Sequence, residues 1–244
     1  MLRTTPSAPS ASRLLGIYRR LFGRYGPQGW WPARGRFEVI VGAILTQNTA
    51  WTNVEKAIRR LKRDGLLEPG RLRRVPAARL AVRIRPAGYF NVKAARLKNF
   101  VRFLYREADG SLGRLFRLPA VELRTKLLGV NGIGPETADS IMLYAAGKPS
   151  FVIDAYTRRL FSRLGLLRHD AGYEAIRGVF ERALPKDPRL YNEYHALIVE
   201  HAKRVCRPRP LCGACALKTR CRFARAGLTS SLHPINNGGV SSPH

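Results

Sequence analysis

Four cysteines, the full set in the chain, lie within sixteen residues as Cys206-x5-Cys212-x2-Cys215-x5-Cys221. The central Cys-x-x-Cys pair suits joint binding of one metal centre. Disulfides fit poorly, because the first residues lack the apolar core of a secretory signal. A structural zinc usually has two close pairs far apart, so one pair flanked by outlying cysteines fits an iron–sulfur cluster at least as well. The spacing therefore predicts a metal centre and leaves zinc and iron–sulfur both open.

A glycine hairpin between two helical patterns is the second candidate site. Leu123 and Leu127 recur at helical spacing before it, and Pro135 begins another helix directly after Gly132-Ile133-Gly134. Two glycines allow a sharp turn and a close approach to a partner, and the amides that open the second helix attract anions. The pattern predicts a phosphate-binding turn, although Gly-x-Gly between helices is also common structural punctuation.

The net charge indicates what kind of partner the hairpin would bind. Lys and Arg number 44 against 16 Asp and Glu, a formal net charge of +28, and the pI is about 11.3. Such a surplus repels itself in the compact state and calls for an anionic partner, either nucleic acid or an anionic membrane. No stretch approaches the roughly 18 apolar residues of a membrane helix. We therefore expect a cytoplasmic protein that contacts nucleic-acid phosphates, against the plainer alternative of a generally basic surface.

Polar and aromatic residues outside regular patterns supply further candidates. Asp154 opens a helical pattern, where an aspartate is also a favoured N-cap. The pair Trp30-Trp31 lies in a Gly/Pro-rich loop, and two adjacent indoles there cannot both face one core. The run Thr46-Gln47-Asn48-Thr49 follows a buried segment and suits either capping or contact. The turn Gly88-Tyr89-Phe90-Asn91 suits either packing or a wedge-like loop tip.

The elements that position these residues read as helices. Strand signals are scarce, and helical periodicity recurs instead, so we predict an all-α chain long enough for one large or two small domains. The periodic segments run over residues 12–22, 37–61, 91–105, 173–184 and 191–205.

Together these motifs resemble the endonuclease III, helix-hairpin-helix superfamily of DNA base-excision glycosylases. The resemblance rests on the hairpin, on Val152-Ile153-Asp154 and on the four-cysteine loop, and it spans residues 14–222. It implies a two-domain fold with a cleft between a six-helix barrel (32–148) and a discontinuous helical domain (1–31 and 149–225). It also implies a [4Fe-4S] cluster on Cys206, Cys212, Cys215 and Cys221, although the first cysteine gap is one residue shorter than usual. Residues 226–244 are expected to be a disordered tail.

The resemblance assigns roles position by position. Asp154 matches the catalytic aspartate of the family. Glu136 lies where bifunctional members have the lysine that forms a Schiff base with the sugar, and a carboxylate cannot be that nucleophile. We therefore expect no lyase chemistry at this site. Ala43 replaces the glutamate of the adenine-specific mismatch branch and disfavours that branch.

Within the superfamily, the chain resembles the 3-methyladenine DNA glycosylases of the endonuclease III type. The shared motifs are Trp-Trp-Pro, Leu-Thr-Gln-Asn-Thr, the Gly-aromatic-aromatic-Asn turn and a Glu after the hairpin. One departure is Leu197, where relatives can have a pocket lysine. The implied base pocket consists of Trp30, Trp31, Trp51 and Glu136, and the implied DNA contacts are Gln47, Tyr89, Asn91, Gly132, Gly134 and Thr137.

Three functions stay open from the sequence. The first is a monomeric, monofunctional glycosylase that removes an alkylated purine from double-stranded DNA, since cationic bases stack well on indole faces. The second is removal of oxidised pyrimidines or mismatched bases on the same fold. The third is a non-catalytic DNA-binding protein that uses the hairpin and the charge alone.

Overall fold

The computed structural model describes residues 9–168 and 170–227, and throughout these residues every regular element is helical. The prediction of an all-α chain is confirmed in this part of the sequence. None of the described helices is long and apolar enough to cross a membrane. The helices are α1 (Ala11–Tyr25), α2 (Arg36–Leu45), α3 (Trp51–Arg63), α4 (Pro69–Arg74), α5 (Ala77–Arg83), α6 (Phe90–Ala108), α7 (Leu112–Leu115), α8 (Ala120–Leu128), α9 (Pro135–Ser140), α10 (Ala155–Arg163), α11 (Tyr173–Ala183), α12 (Pro188–Arg204) and α13 (Arg222–Arg225).

The chain forms two compact units. The hairpin unit consists of Gly29–Val152 together with Pro185–Glu193. The cysteine unit combines the chain up to Gln28 with Ile153–Leu184 and the chain from Tyr194 onward. The tail predicted over 226–244 lies outside the described residues except for Ala226 and Gly227.

The hairpin unit is built around α2. Every residue from Phe37 to Leu45 on this helix is buried, and all of them are apolar except Glu38, which pairs with Lys62 at 2.6 Å. The long helix α6 packs its own buried stripe, including Leu97, Phe100 and Leu104, into the same core. This core fixes both ends of α2, and the loop that carries Gln47 follows directly from its C-terminal end.

The helical pattern predicted over 37–61 is divided in two. Helix α2 ends at Leu45 and α3 begins at Trp51. In the connecting segment the Thr46 hydroxyl donates to the Gly42 carbonyl at 2.6 Å, and Asn48 adopts a left-handed φ of 51°. Side chains that bond their own backbone compete with helix formation, and asparagine tolerates this conformation. The polar run therefore ends one helix and presents Gln47 on a loop.

The cysteine unit packs α1, α10, α11 and the later part of α12 through aromatic side chains. The Phe161 and Phe180 rings meet edge to face at 4.8 Å between centroids, and Tyr18 meets Tyr194 at 5.3 Å. The Tyr194 hydroxyl donates to the Leu14 carbonyl at 2.8 Å. Through Phe161 these contacts pack α10, whose N-cap is Asp154, into the core of the cysteine unit.

Candidate active site

An aromatic cluster in the hairpin unit surrounds Trp31. Its ring stacks on Trp30 with centroids 5.8 Å apart and planes inclined by 19°. It meets Trp51 edge to face at 5.4 Å and lies 5.0 Å from the ring of Tyr144. The three predicted pocket tryptophans are thus brought together. Tyr144 is an addition that the sequence did not reveal, because its position next to apolar helical residues resembles an ordinary core position.

The local sequence makes room for these rings and fixes them. Gly42 on α2 faces Trp31 so closely that a Cβ there would lie 3.3 Å from the indole ring. Trp51 is the first residue of α3, and its indole N–H donates to the Glu55 carboxylate one turn later at 2.8 Å. The cluster is therefore a set of oriented π faces, which is a suitable surface for a flat, electron-poor ring.

Asp154, the predicted catalytic residue, caps α10 in the cysteine unit. Its Oδ1 accepts the Thr157 backbone N–H at 2.7 Å, and its Oδ2 lies 3.4 Å from His195 Nε2. Burial raises the pKa of the carboxyl group, but His195 and Thr157 together lower it by a larger amount. The pKa of Asp154 therefore lies below its usual value. The cap interpretation of the sequence is confirmed, and the carboxyl group is held as an anion.

A second aspartate, Asp139 on α9, is fully buried in the hairpin unit. Arg124 donates to both of its oxygens, at 2.8 Å from Nε and 3.1 Å from Nη2. The Ser150 hydroxyl adds a third hydrogen bond at 2.5 Å. Such bidentate pairing neutralises the charge inside the protein. No local sequence signal marks this aspartate.

The hairpin joins α8 to α9 with the geometry that its glycines predict. Gly132 has a φ of +91°, and a Cβ there would lie 2.3 Å from the side chain of Arg96. Gly134 faces open space and precedes Pro135, the first residue of α9. Only glycine suits the first position, because both the backbone conformation and the neighbouring side chain exclude a larger residue.

Gln47 docks onto this hairpin. Its side-chain amide donates to the Gly132 carbonyl at 3.0 Å and to the Thr137 hydroxyl at 2.9 Å, and Arg96 donates to its amide oxygen. Three of the predicted DNA-contacting residues, Gln47, Gly132 and Thr137, therefore share one hydrogen-bonded group. Thr137 is buried, so its direct partner in the structure is Gln47.

Tyr89 and Asn91 lie on an exposed turn at the start of α6. Tyr89 is 73% exposed and adopts a left-handed φ of 43°. Asn91 is also exposed. The ring of Tyr89 is therefore accessible to a molecule outside the chain.

Lys93 anchors the loops on both sides, a feature that the sequence analysis missed. Its buried ammonium group donates to the carbonyls of Leu45 at 2.9 Å and Ala87 at 2.8 Å, and to the Thr49 hydroxyl at 2.5 Å. Burial, helped by the nearby charge of Arg96, lowers the Lys93 pKa to about 8. Lys93 therefore ties the end of α2 and the Thr49 loop to the turn before Tyr89.

The four cysteines line a single small cavity in the cysteine unit. Arg163 Nη1 lies 3.4 Å from Cys206 Sγ, and the Leu217 N–H donates to Cys215 Sγ at 3.4 Å. In residues 9–168 and 170–227, no three His, Cys, Asp or Glu side chains form a group that could hold one metal ion.

His201 makes a third contact with the cysteine sulfur atoms, after those of Arg163 and Leu217. Its Nε2 lies 3.4 Å from Cys215 Sγ, and its Nδ1 lies 2.8 Å from the Tyr25 hydroxyl. Burial lowers the His201 pKa to about 4 and raises that of Cys215 to about 11. The cavity thus has four sulfur donors surrounded by groups that can hydrogen-bond to thiolates.

The remaining predicted positions differ in exposure. Glu136 is exposed in the first turn of α9, where an acid complements the helix dipole. Ala43 is buried in the core of the hairpin unit. Leu197, where relatives can have a lysine, is fully buried in the cysteine unit.

Comparison with known proteins identifies the family. A model of the HhH-GPD superfamily of base excision DNA repair proteins matches residues 41–186. A protein of Methanocaldococcus jannaschii named "Putative DNA repair glycosylase MJ1434" is 51% identical over 207 residues, which cover 84% of this chain and 94% of that protein. The chain therefore belongs to the HhH-GPD superfamily and is a DNA repair glycosylase of that family.

Solved structures agree with the fold. The Helicobacter pylori 3-methyladenine DNA glycosylase MagIII, bound to 1,N6-ethenoadenine, superposes with a TM-score of 0.70 at 28% identity, covering 80% of this chain and 98% of that one. An endonuclease III–DNA complex superposes with a TM-score of 0.77 at 20% identity, covering 90% and 99%. The predicted resemblance to this superfamily and its fold is confirmed.

Proposed function

We propose that the chain is a monofunctional N-glycosylase that releases an alkylated purine from double-stranded DNA. The observation that carries the proposal is the aromatic cluster of Trp30, Trp31, Trp51 and Tyr144. N-alkylated purines such as 3-methyladenine are cationic, so they bind strongly to the faces of indole rings and leave the sugar easily. The likeness to MagIII, which binds the ethenoadenine base, supports the same substrate class.

Asp154 supplies the charge that the reaction needs. As the base leaves with the bonding electrons, the sugar becomes cationic, and a fixed carboxylate stabilises that charge and orients the attacking water. Its lowered pKa keeps it ionised at neutral pH. A good leaving group needs little general-acid help, so one carboxylate and an aromatic pocket suffice for the chemistry.

Strand cleavage is not part of the proposed reaction. Schiff-base lyases need an amine nucleophile, and Glu136 occupies the position of that amine in the family. Lys93 does not substitute for it, because its ammonium group is buried and donates to three oxygen atoms. The expected product is free base and an intact strand with an abasic site.

DNA binding combines three parts of the hairpin unit. The backbone N–H groups beside Gly134 donate to a phosphate, the exposed ring of Tyr89 fills space in the opened duplex with Asn91 beside it, and Gln47 lies at the same hairpin. The net charge of +28 supports strong phosphate binding. Affinity is therefore expected to fall steeply with added salt.

We infer that Cys206, Cys212, Cys215 and Cys221 hold a [4Fe-4S] cluster. The residues fit such a group, since all four thiols line one cavity and Arg163, His201 and the Leu217 amide lie at hydrogen-bonding distance from two of them. When bound, the cluster supplies four iron–thiolate bonds that cross-link the loop after α12. Iron and sulfide content of the purified protein tests this assignment.

Base release tests the proposed reaction. Duplex DNA with one 3-methyladenine or one 7-methylguanine is incubated with the protein, and each product is analysed with and without alkali. Free base with strand breaks only after alkali is expected. Breaks without alkali would contradict the monofunctional assignment, and release from oxidised pyrimidines alone would contradict the substrate class.

A further inference from the structure

Asp154 uses its two carboxylate oxygens differently. Oδ1 caps α10 through the Thr157 N–H at 2.7 Å. Oδ2 has a separate neighbour, the imidazole Nε2 of His195 on α12, at 3.4 Å. The side chains are 13% and 6% exposed, so bulk water is largely excluded from the pair. The cap provides an acceptor for a free backbone N–H of α10, and the side chain of His195 lies next to Oδ2.

His195 matters because a buried carboxylate is otherwise prone to accept a proton. Ile153, just before Asp154, is buried, and so is Phe161 further along α10. An apolar setting favours the neutral acid, and a neutral acid cannot stabilise a cationic sugar. The Nε2 of a histidine can carry a proton in the neutral imidazole and always carries one in the imidazolium. Either form can therefore donate to Oδ2.

We propose that His195 is a positioning residue that holds Oδ2 of Asp154 in place and in its ionised form for glycosidic bond cleavage. The inference rests on the proposed function and deepens it. The separation of 3.4 Å exceeds a standard hydrogen bond, and such contacts commonly shorten when substrate binds. His195 itself touches neither base nor sugar in this account. It acts through Asp154, so its removal lowers the rate of base release and leaves DNA affinity intact.

Three variants separate this role from simple packing. His195→Leu removes the N–H donor while filling much of the same space. His195→Gln keeps an N–H donor at a comparable distance from the backbone. Tyr194→Phe is the matched control, because it deletes a buried hydrogen bond from the adjacent residue of the same helix, the 2.8 Å bond to the Leu14 carbonyl.

The measurement is single-turnover base release from duplex DNA with one 7-methylguanine, with enzyme in excess. We expect His195→Leu to slow release about 10- to 100-fold, as for loss of a hydrogen bond to a charged group. His195→Gln should stay within about threefold of wild type, and Tyr194→Phe should match wild type. Binding to a duplex with a stable abasic analogue should be the same for all four proteins. Equal losses in His195→Leu and His195→Gln would overturn the proposal, as would full activity of His195→Leu.

A double variant completes the test. If His195 acts through the carboxylate, then adding His195→Leu to Asp154→Asn should cause no further loss of rate. A further tenfold loss would show that His195 acts elsewhere. Wild type and Asp154→Asn are assayed first. No release by wild type, or full activity of Asp154→Asn, would overturn the proposed function and this inference together, whereas an inactive Asp154→Asn with a fully active His195→Leu would overturn only the latter.

Discussion

Two buried aspartates, Asp139 and Asp154, lie only fifteen positions apart in sequence and are bound in opposite ways. Asp139 receives two hydrogen bonds from the Arg124 guanidinium and one from the Ser150 hydroxyl. Asp154 receives one backbone N–H and the longer contact with His195. The first carboxylate has its charge neutralised inside the hairpin unit. The second keeps a charge that only an N–H and an imidazole offset.

The difference indicates what each residue can do. A carboxylate locked in a bidentate ion pair is already saturated, so it stabilises the fold and has little field left for a substrate. A carboxylate held ionised by weaker partners can respond to a new positive charge, which is the requirement of a glycosylase transition state. The comparison therefore favours a stabilising role for Asp139 and supports the catalytic role proposed for Asp154.

The largest expected effect is on stability, at Asp139. Asp139→Asn leaves the Arg124 charge without its counterion, and breaking a buried pair on one side costs about 3–5 kcal/mol. In a chain of this size that corresponds to a fall in Tm of roughly 6 to 20 °C. Thermal denaturation measures it. The double change of Asp139→Leu with Arg124→Met should recover most of the loss, and failure to recover would mean that the pair has a further role.

The next effect is on rate, at Asp154. Asp154→Asn retains a side-chain oxygen for the cap but removes the charge, so at neutral pH it should lose only the stability that the ionised carboxylate supplies, while base release falls by about 10²- to 10³-fold. Single-turnover assays at a temperature where both variants are folded give the comparison. Asp139→Asn should retain a rate within a few-fold of wild type under those conditions. Similar rate losses for both variants would contradict the assignment of different roles to the two aspartates.

Acid titration tests whether Asp154 is ionised, because a pKa that changes on folding makes the stability of the fold depend on pH. The Asp154 pKa is below its usual value in the folded protein, so its ionised form stabilises the fold at neutral pH. That contribution is complete above the unfolded pKa, near 3.9, and is lost as pH falls through the lower folded pKa. The stability difference between wild type and Asp154→Asn should therefore narrow below about pH 4. Urea denaturation across pH 2.5 to 7 measures it, and a constant difference would contradict an ionised Asp154.

The sequence predicted the helices and the candidate residues better than their partners. Asp154 stood out because a cap aspartate opens a helical pattern, and Trp30 and Trp31 stood out because a Gly/Pro-rich loop cannot bury both. These are local signals, readable within a few residues.

Contacts between residues that are far apart in sequence give no signal in the local pattern. Tyr144 looked like a core residue, and His195 lies 41 positions after Asp154 on another helix. No local pattern marks Lys93, although it holds carbonyls of two distant segments. The ion pair of Asp139 had no sequence signal either, because only folding brings Arg124 and Ser150 to it. Tertiary contacts decide what a charged residue does, and periodicity reports only which face it lies on.

The smallest expected effect belongs to a third carboxylate, Glu136, which tests whether burial is the deciding property. Glu136 lies in the first turn of α9 and is exposed, so Glu136→Gln should cost only about 0.3–1 kcal/mol from the helix dipole. Because a solvated carboxylate has its charge screened by water, base release should stay within a few-fold of wild type, and no strand cleavage should appear in either protein. Thermal denaturation and the alkali-dependent cleavage assay measure both quantities. A loss of rate close to that of Asp154→Asn would show that an exposed acid at the hairpin contacts the substrate directly, and burial would then no longer separate Asp154 from Glu136.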